Sequence, residues 1–121
     1  MPNILMHYTA NLPAQDKLEA FAQKIHTLLA PVLVTDVGNF KTFFIPVSRY
    51  VSGEGIAHKA FLQIDFRMLP GRSPEVKKAA ADIVLAQAAE HFSVENGVET
   101  SITVEIGDID KENYHKVIVN P

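Results

Sequence analysis

The sequence predicts an α/β (α+β) fold in which two β-α-β units form one four-stranded mixed sheet with two helices on one face. Three observations support this class. Four segments have the length and the β-branched or alternating character of strands. Two longer segments repeat apolar residues at the helical period of about 3.6 residues. Each helix lies between two strands and is long enough to cross over between parallel neighbours.

The first unit begins almost at the amino terminus. A short apolar run from Ile4 to Tyr8 predicts a strand, so we expect this terminus to be held within the fold. A helix is expected to open at Leu12-Pro13. It is expected to stop at Pro31, because proline lacks the amide donor that a helix interior needs. Residues 32–37 then predict a connector with some strand character.

The clearest strand pattern lies at the centre of the chain. Between residues 60 and 68, apolar side chains alternate with polar ones and are expected to face the core; they are Leu62, Ile64, Phe66 and Met68. The preceding strand, over residues 40–51, contains Pro46, which indicates a bulge or a sheet edge. Residues 52–55, with two glycines, predict the turn between these strands.

The second helix has recognisable start signals. Ser73 is a favourable N-cap and Pro74 a favourable first helical residue, and the helix is expected to end near Phe92. One of its faces is apolar, with Val76, Ala80, Ile83, Val84 and Ala88. A turn at Asn96-Gly97 and a strand over residues 101–106 complete this unit. The tail, residues 108–121, predicts a small arm or a last short strand. A single domain over residues 1–121 follows, with pseudo-repeats at 1–52 and 56–121.

Composition favours a folded domain that acts on a small molecule. The 121 residues are 47% hydrophobic and 21% charged, with a net charge of −3, as in ordinary folded domains. There is no run of basic residues for nucleic acid, and no apolar run near the roughly 20 residues of a membrane helix. No cysteine occurs and the five histidines lack ligand spacing, so no metal site is expected. With no targeting segment at the amino terminus, we predict a cytoplasmic protein.

One face of the predicted sheet has no helix to cover it. Its apolar positions include Phe43, Ile45 and Phe61. A second copy of the chain is the simplest cover for such a surface. We therefore expect a homo-oligomer.

Pro2 is the first candidate for chemistry. Removal of Met1 would leave a secondary amine at the head of an apolar strand. An α-amino group has a reference pKa of about 7.7–8.0, and an apolar pocket lowers the pKa of an amine. Such an amine is an effective base near neutral pH. A proline at this position can also reflect amino-terminal processing alone.

Arg72 is the second candidate. It lies in Gly71-Arg72-Ser73, between a strand end and a helix start. Arginine offers a planar fork to a carboxylate, and the amides of a helix amino terminus add to the attraction. The alternative is a solvated arginine beside a helix cap.

Together these features resemble the tautomerase superfamily. The resemblance rests on Pro2, the two strand–helix–strand units and Gly71-Arg72-Ser73 at the second strand–helix junction. Within the superfamily, the chain length and the stretch from Gly71 to Glu75 are similar to 5-carboxymethyl-2-hydroxymuconate isomerases. Residues 38–43 and Glu105-Ile106 also stand at compatible positions.

This resemblance implies paired β-α-β units that assemble as trimers, with active sites close to subunit contacts. It implies that Pro2 shuttles a proton on an unsaturated keto acid, a small-molecule carboxylate from aromatic compound catabolism. Arg72 would hold a carboxylate or stabilise the enolate, and no cofactor or metal is needed.

The sequence departs from that family on the strand before the central turn, where the family has basic residues. Lys41 supplies one basic residue here, but Phe43 stands at the second position. Lysine is a point charge without the fork of arginine. The leading hypothesis is an isomerase or tautomerase with Pro2 as catalytic base and acid and with Arg72 and Lys41 binding substrate. The alternative is a catalytically inactive ligand-binding or structural trimer of the same fold.

Overall fold

The predicted pair of β-α-β units is confirmed by the order of elements. The computed structural model describes residues 2–55, 57–93 and 97–121. Its helices and strands are β1 (Asn3–Thr9), α1 (Leu18–Leu33), β2 (Lys41–Val47), β3 (Lys59–Met68), α2 (Pro74–Phe92) and β4 (Glu99–Asp108). Short 3-10 turns lie at Gln15–Lys17, Val37–Asn39 and Lys111–Asn113.

The four strands form one mixed sheet in the order β2-β1-β3-β4. The pairs β1 with β2 and β3 with β4 are parallel, as expected for strands joined by a crossover helix. The central pair, β1 with β3, is antiparallel. The starts of β1 and β2 therefore lie at the same end of the sheet as the ends of β3 and β4. We call this end the Pro2 end, because Pro2 immediately precedes β1.

The core lies between one face of the sheet and the two helices. Strand residues at alternate positions are completely buried there, as the central alternation predicted: Ile4, Met6, Leu62, Ile64, Phe66 and Met68. The helices contribute Phe21, Ile25, Leu29, Ala80, Val84 and Ala88, which are also inaccessible to solvent. All twelve belong to one cluster of buried residues. Burial of this apolar surface is the main force that joins the helices to the sheet.

The prediction for α1 was wrong at both ends. The helix begins at Leu18 and not at Leu12-Pro13, because Ala14 has a left-handed backbone (φ 57°) that interrupts helical geometry. It also continues past Pro31 to Leu33. Pro31 lies in the last turn, and its missing amide leaves one carbonyl of the preceding turn without its helical donor. Leu33 is buried in the core, which holds that turn in place.

Other boundaries also differ from the sequence predictions. The connector after α1 has no strand, since Val34 is left-handed (φ 53°) and a 3-10 turn follows. Strand β2 ends at Val47 and not at residue 51, because its neighbour β1 ends at Thr9 and an edge strand has no other partner. Strand β4 is longer than expected and pairs with β3 over its whole length. The tail contains one 3-10 turn and no strand among residues 109–121.

Several local predictions are confirmed. Pro46 lies on an edge strand, and the amide of Gly55 donates to the Ser52 carbonyl in the turn after β2. Ser73 caps α2, its hydroxyl accepting from the Val76 amide at 3.2 Å. Asn96 of the predicted Asn96-Gly97 turn lies outside the described residues. Within the described ranges, no helix combines the length and apolar character needed to cross a membrane.

The second face of the sheet is open, as the fold class required. Its side chains form rows across the strands in the order β2, β1, β3, β4: Lys41, Asn3, Arg67 and Gly107, then Phe43, Leu5, Asp65 and Glu105, then Ile45, His7, Gln63 and Thr103. The β2 side of this open face is apolar, with Phe43 53% and Ile45 36% exposed. The β3 and β4 side is polar.

Candidate active site

Pro2 is buried at the head of β1. Its carbonyl accepts a hydrogen bond from the Lys41 amide at 3.1 Å, so the backbone of Pro2 is joined to the start of β2. Asn3 and Ile4 then continue into the centre of the sheet. Pro2 is therefore held firmly, as the short apolar strand predicted. Met1 lies outside the described residues.

The strand topology brings the three sequence-predicted residues to the Pro2 end. Lys41 is the first residue of β2, directly beside Asn3 in the register. Arg72 lies four residues after the end of β3, just before α2. Since β3 runs antiparallel to β1, its end meets the beginning of β1. Residues that are 70 positions apart in sequence thus approach one another through the pairing of the two halves.

Arg72 has a structural role that the sequence did not predict. Its Nε and Nη2 atoms donate to the Leu33 carbonyl at 3.2 and 2.9 Å, and Nη1 donates to the Leu69 carbonyl at 3.1 Å. Leu33 is the last residue of α1, whose final carbonyls lack helical partners. Arg72 therefore caps the carboxyl end of α1, where a cation is also favoured by the helix dipole. It is neither a free ligand nor a fully solvated side chain.

The guanidinium nevertheless keeps capacity for a ligand. It has five N–H donors, and these three bonds leave one hydrogen on each terminal nitrogen without a partner in the described ranges. Arg72 as a whole is half-buried. The carbonyl bonds fix the plane of the group in advance, which reduces the entropy lost when a carboxylate binds.

Lys41 is exposed and projects from the open face. Among the described residues, the ion pairs are Lys59 with Glu99, Lys77 with Asp108, and Lys78 with Asp82. The second of these neutralises the carboxylate of Asp108 at the end of β4, at a separation of 2.9 Å. Lys41 takes part in none of them. Lys41 and Arg72 bring positive charge to the Pro2 end, which favours an anionic ligand.

Sequence reasoning missed Arg67. It occupies the same row of the open face as Lys41, on the other side of Asn3. The alternation of β3 had placed it on the polar face of a strand, but nothing local in the sequence indicates what lies across the sheet. Phe43, at the second basic position of the family pattern, lies in the next row beside Leu5.

A surface depression of about 700 Å³ lies at the opposite end of the sheet. It is lined by the loop after β2, including Arg49 and Tyr50, whose ring packs edge-on against Phe61 at 6.0 Å. It is wide open to solvent and distant from Pro2. The size of a depression therefore does not locate the active site. We place the candidate site at the Pro2 end, where the topology puts the buried proline, Lys41 and Arg72. The described residues contain no group of three or more metal-ligating side chains.

Comparisons with known proteins identify the family of the chain. The sequence profile of 5-carboxymethyl-2-hydroxymuconate isomerase matches residues 2–119. The chain belongs to this isomerase family. The match spans both β-α-β units and includes Pro2, Lys41 and Arg72. It confirms the family resemblance and the prediction that the chain is an enzyme, a cofactor-independent isomerase or tautomerase.

Several solved structures have the same fold as this chain. A 5-carboxymethyl-2-hydroxymuconate isomerase from Deinococcus radiodurans R1 is 27% identical over 96% of this chain and 88% of its own, with a TM-score of 0.85. A 5-carboxymethyl-2-hydroxymuconate delta-isomerase is 19% identical over 99% and 89%, with a TM-score of 0.77. A fused 4-OT symmetric trimer is 18% identical over 88% and 86%, with a TM-score of 0.70. No curated protein matches the chain at a significant level.

Proposed function

We propose that this isomerase moves a proton on a small unsaturated oxo or hydroxy carboxylic acid, with the nitrogen of Pro2 as general base and then general acid. One observation carries the proposal: Pro2 is buried at the head of a central strand, at the end of the sheet where Lys41 and Arg72 also lie. Burial is the setting that lowers the pKa of an amine by disfavouring the cation. The reaction requires that Met1 be removed, because an amide nitrogen is not a base.

The chemistry is a proton transfer in two steps. The amine of Pro2 takes a proton from a hydroxyl or carbon of the substrate, and the electron pair left behind delocalises as a dienolate. The protonated amine then returns the proton to a different carbon. Arg72, through its two remaining N–H groups, binds a carboxylate or the developing enolate oxygen, and Lys41 is a second cation for the acid. Stabilisation of charge that develops in the transition state is what accelerates such a reaction.

The candidate substrates are chosen from the family and from one difference between this chain and the family pattern. The first compound to test is a 5-carboxymethyl-2-hydroxymuconate. We expect such a compound as an intermediate of aromatic compound catabolism in the cytoplasm. Phe43 lies at the second basic position of the family pattern and cannot pair with a carboxylate. We therefore include smaller dienol acids with fewer carboxylates among the candidate substrates.

The open face supports assembly into a homo-oligomer, and the fused 4-OT relative is a symmetric trimer. Phe43 and Ile45 are exposed in the single chain, and their burial between copies would stabilise an oligomer by the hydrophobic effect. Sedimentation analysis tests whether this surface is the interface. A wild-type trimer that dissociates when Phe43→Asp is introduced supports it. A monomer at micromolar concentration contradicts it.

A second candidate function is a ligand-binding or structural trimer without turnover. The hydrogen bonds from Arg72 to Leu33 and Leu69 favour it, because they give this arginine a role that requires no substrate. Phe43 favours it as well.

The decisive experiment is the rate of ketonisation of a small dienol acid by untagged protein, measured beside Pro2→Ala. Intact mass first establishes that Met1 is absent. Pro13→Ala is a matched control, since Pro13 is also buried but lies in the loop after β1. The isomerase proposal predicts turnover that falls strongly in Pro2→Ala, which replaces the held secondary amine with a primary one, and that is retained in Pro13→Ala. The other outcome is that folded protein without Met1 turns over none of several such acids. This outcome supports the binding or structural role.

A further inference from the structure

Arg67 is an exposed cation on an otherwise buried stretch of strand. Its neighbours Phe66 and Met68 are completely buried in the core. Because side chains alternate along a strand, Arg67 projects from the open face. It lies one residue before the end of β3, which places it at the Pro2 end.

Arg67 and Lys41 flank the same residue of the central strand. Asn3, which follows Pro2, pairs with Lys41 of β2 on one side and with Arg67 of β3 on the other. Neighbouring strands are about 4.8 Å apart, so the two backbones are separated by about 10 Å across Asn3. Both side chains are long enough to converge on one anion held over Asn3.

The surroundings of Arg67 leave room for such an anion. Its neighbour on β4 is Gly107, which has no side chain, and a Cβ added there would meet nothing within 4 Å. Arg67 takes part in none of the ion pairs that join described residues. The nearest carboxylates on this face, Asp65 and Glu105, lie in the next row and oppose each other across β3 and β4.

We propose that Arg67 is a substrate-binding residue which, together with Lys41, holds one carboxylate of the substrate over Asn3. Arginine can bind a carboxylate through two parallel N–H bonds, whereas lysine is a single point charge. Arg67 thus supplies from β3 the fork that Phe43 does not supply from β2. This inference rests on the proposed function at Pro2, and it leaves Arg72 to the other end of the reacting acid.

The test measures binding and turnover in Arg67→Gln and Arg67→Lys. Adipate, a saturated dicarboxylate that cannot isomerise, is titrated calorimetrically, and ketonisation of a dienol acid gives KM and kcat. Arg49→Gln is the matched control, because Arg49 is also exposed but lies beyond the opposite end of β2. We expect Arg67→Gln to weaken adipate binding and raise KM by about tenfold or more, as for loss of charge-assisted hydrogen bonds. The adipate affinity and KM of Arg67→Lys should lie between those of the wild type and Arg67→Gln, and kcat should change less than KM. Arg49→Gln should match the wild type.

Two results would overturn the proposal. In the first, Arg67→Gln binds adipate as tightly as the wild type but has a lower melting temperature. This result would assign Arg67 to an internal ion pair with Asp65 or Glu105. The other is wild-type protein that does not bind adipate at all. If Pro2→Ala retains full activity, the proposed function fails separately, and the adipate titration still decides the role of Arg67.

Discussion

Replacing Arg72 with alanine should destabilise the fold even without substrate. The variant loses three hydrogen bonds from a charged donor, two to the Leu33 carbonyl and one to the Leu69 carbonyl. It also removes a cation from the carboxyl end of α1. A bond of this kind contributes about 1 kcal/mol or more, but the group is half-buried and water can replace part of the loss. We expect a decrease of about 2 kcal/mol in the free energy of unfolding.

Thermal and urea unfolding measure this decrease. At about 4 °C per kcal/mol for a domain of this size, the melting temperature should fall by about 8 °C. The urea midpoint should fall with an unchanged slope. All variants are compared at one protein concentration, because the stability of an oligomer depends on it. Arg67→Ala is the control, since it removes the same charge at the same end of the sheet. Arg67 makes no side-chain hydrogen bond to the described residues, so this variant should change stability by less than about 0.5 kcal/mol.

Equal melting temperatures for Arg72→Ala and Arg67→Ala would refute the capping role of Arg72. If the role is correct, lost activity in Arg72→Ala is not sufficient evidence of substrate contact. Activity must then be measured on protein that is still folded, well below its melting temperature. Arg72→Lys is a useful companion, since it keeps the charge but cannot bridge two carbonyls with a fork.

Two further predictions concern the core and the pH dependence of stability. Phe66→Ala should lower the free energy of unfolding in urea by about 3–5 kcal/mol, because Phe66 is completely buried. Phe43, which is exposed in the single chain, is the control. An equal loss of stability in monomeric Phe43→Ala would contradict burial as the cause. Burial lowers the pKa of His26, which stacks on Phe40 and shares a 2.7 Å hydrogen bond with the Thr42 hydroxyl. The contribution of neutral His26 to folding stability is therefore complete at pH values above the unfolded pKa of 6.5. It is lost as the pH falls below that value. The urea midpoint should drop between pH 8 and pH 5.5 by less in His26→Gln than in wild type; an equal drop contradicts the assignment.

Local sequence patterns were sufficient for most helices and strands. The alternation around Phe66 identifies β3, and Ser73-Pro74 marks the first turn of α2, because side-chain period and capping depend on neighbours in the chain. Pro31 was misleading for a related reason. Its local effect is to end a helix, but the burial of Leu33 outweighs one lost hydrogen bond in the last turn.

The candidate site at the Pro2 end was only partly predictable. Pro2 and Arg72 carry motif signals that resemble a known family, so they could be proposed from the chain alone. Arg67 carries no such signal. It comes to flank Asn3 opposite Lys41 only because β3 pairs antiparallel with β1 while β2 pairs parallel with the other side of β1.

The sequence by itself determined the two β-α-β units, the capped second helix and the candidate proline, since each depends on residues within a few positions of one another. The tertiary structure decided which cations lie at the same end of the sheet as that proline, and it decided that Arg72 donates three hydrogen bonds to the Leu33 and Leu69 carbonyls. Those outcomes depend on strand order and register, which are set by burying the apolar faces of both units in one core. A pattern within one segment contains no information about the partner that will lie beside it.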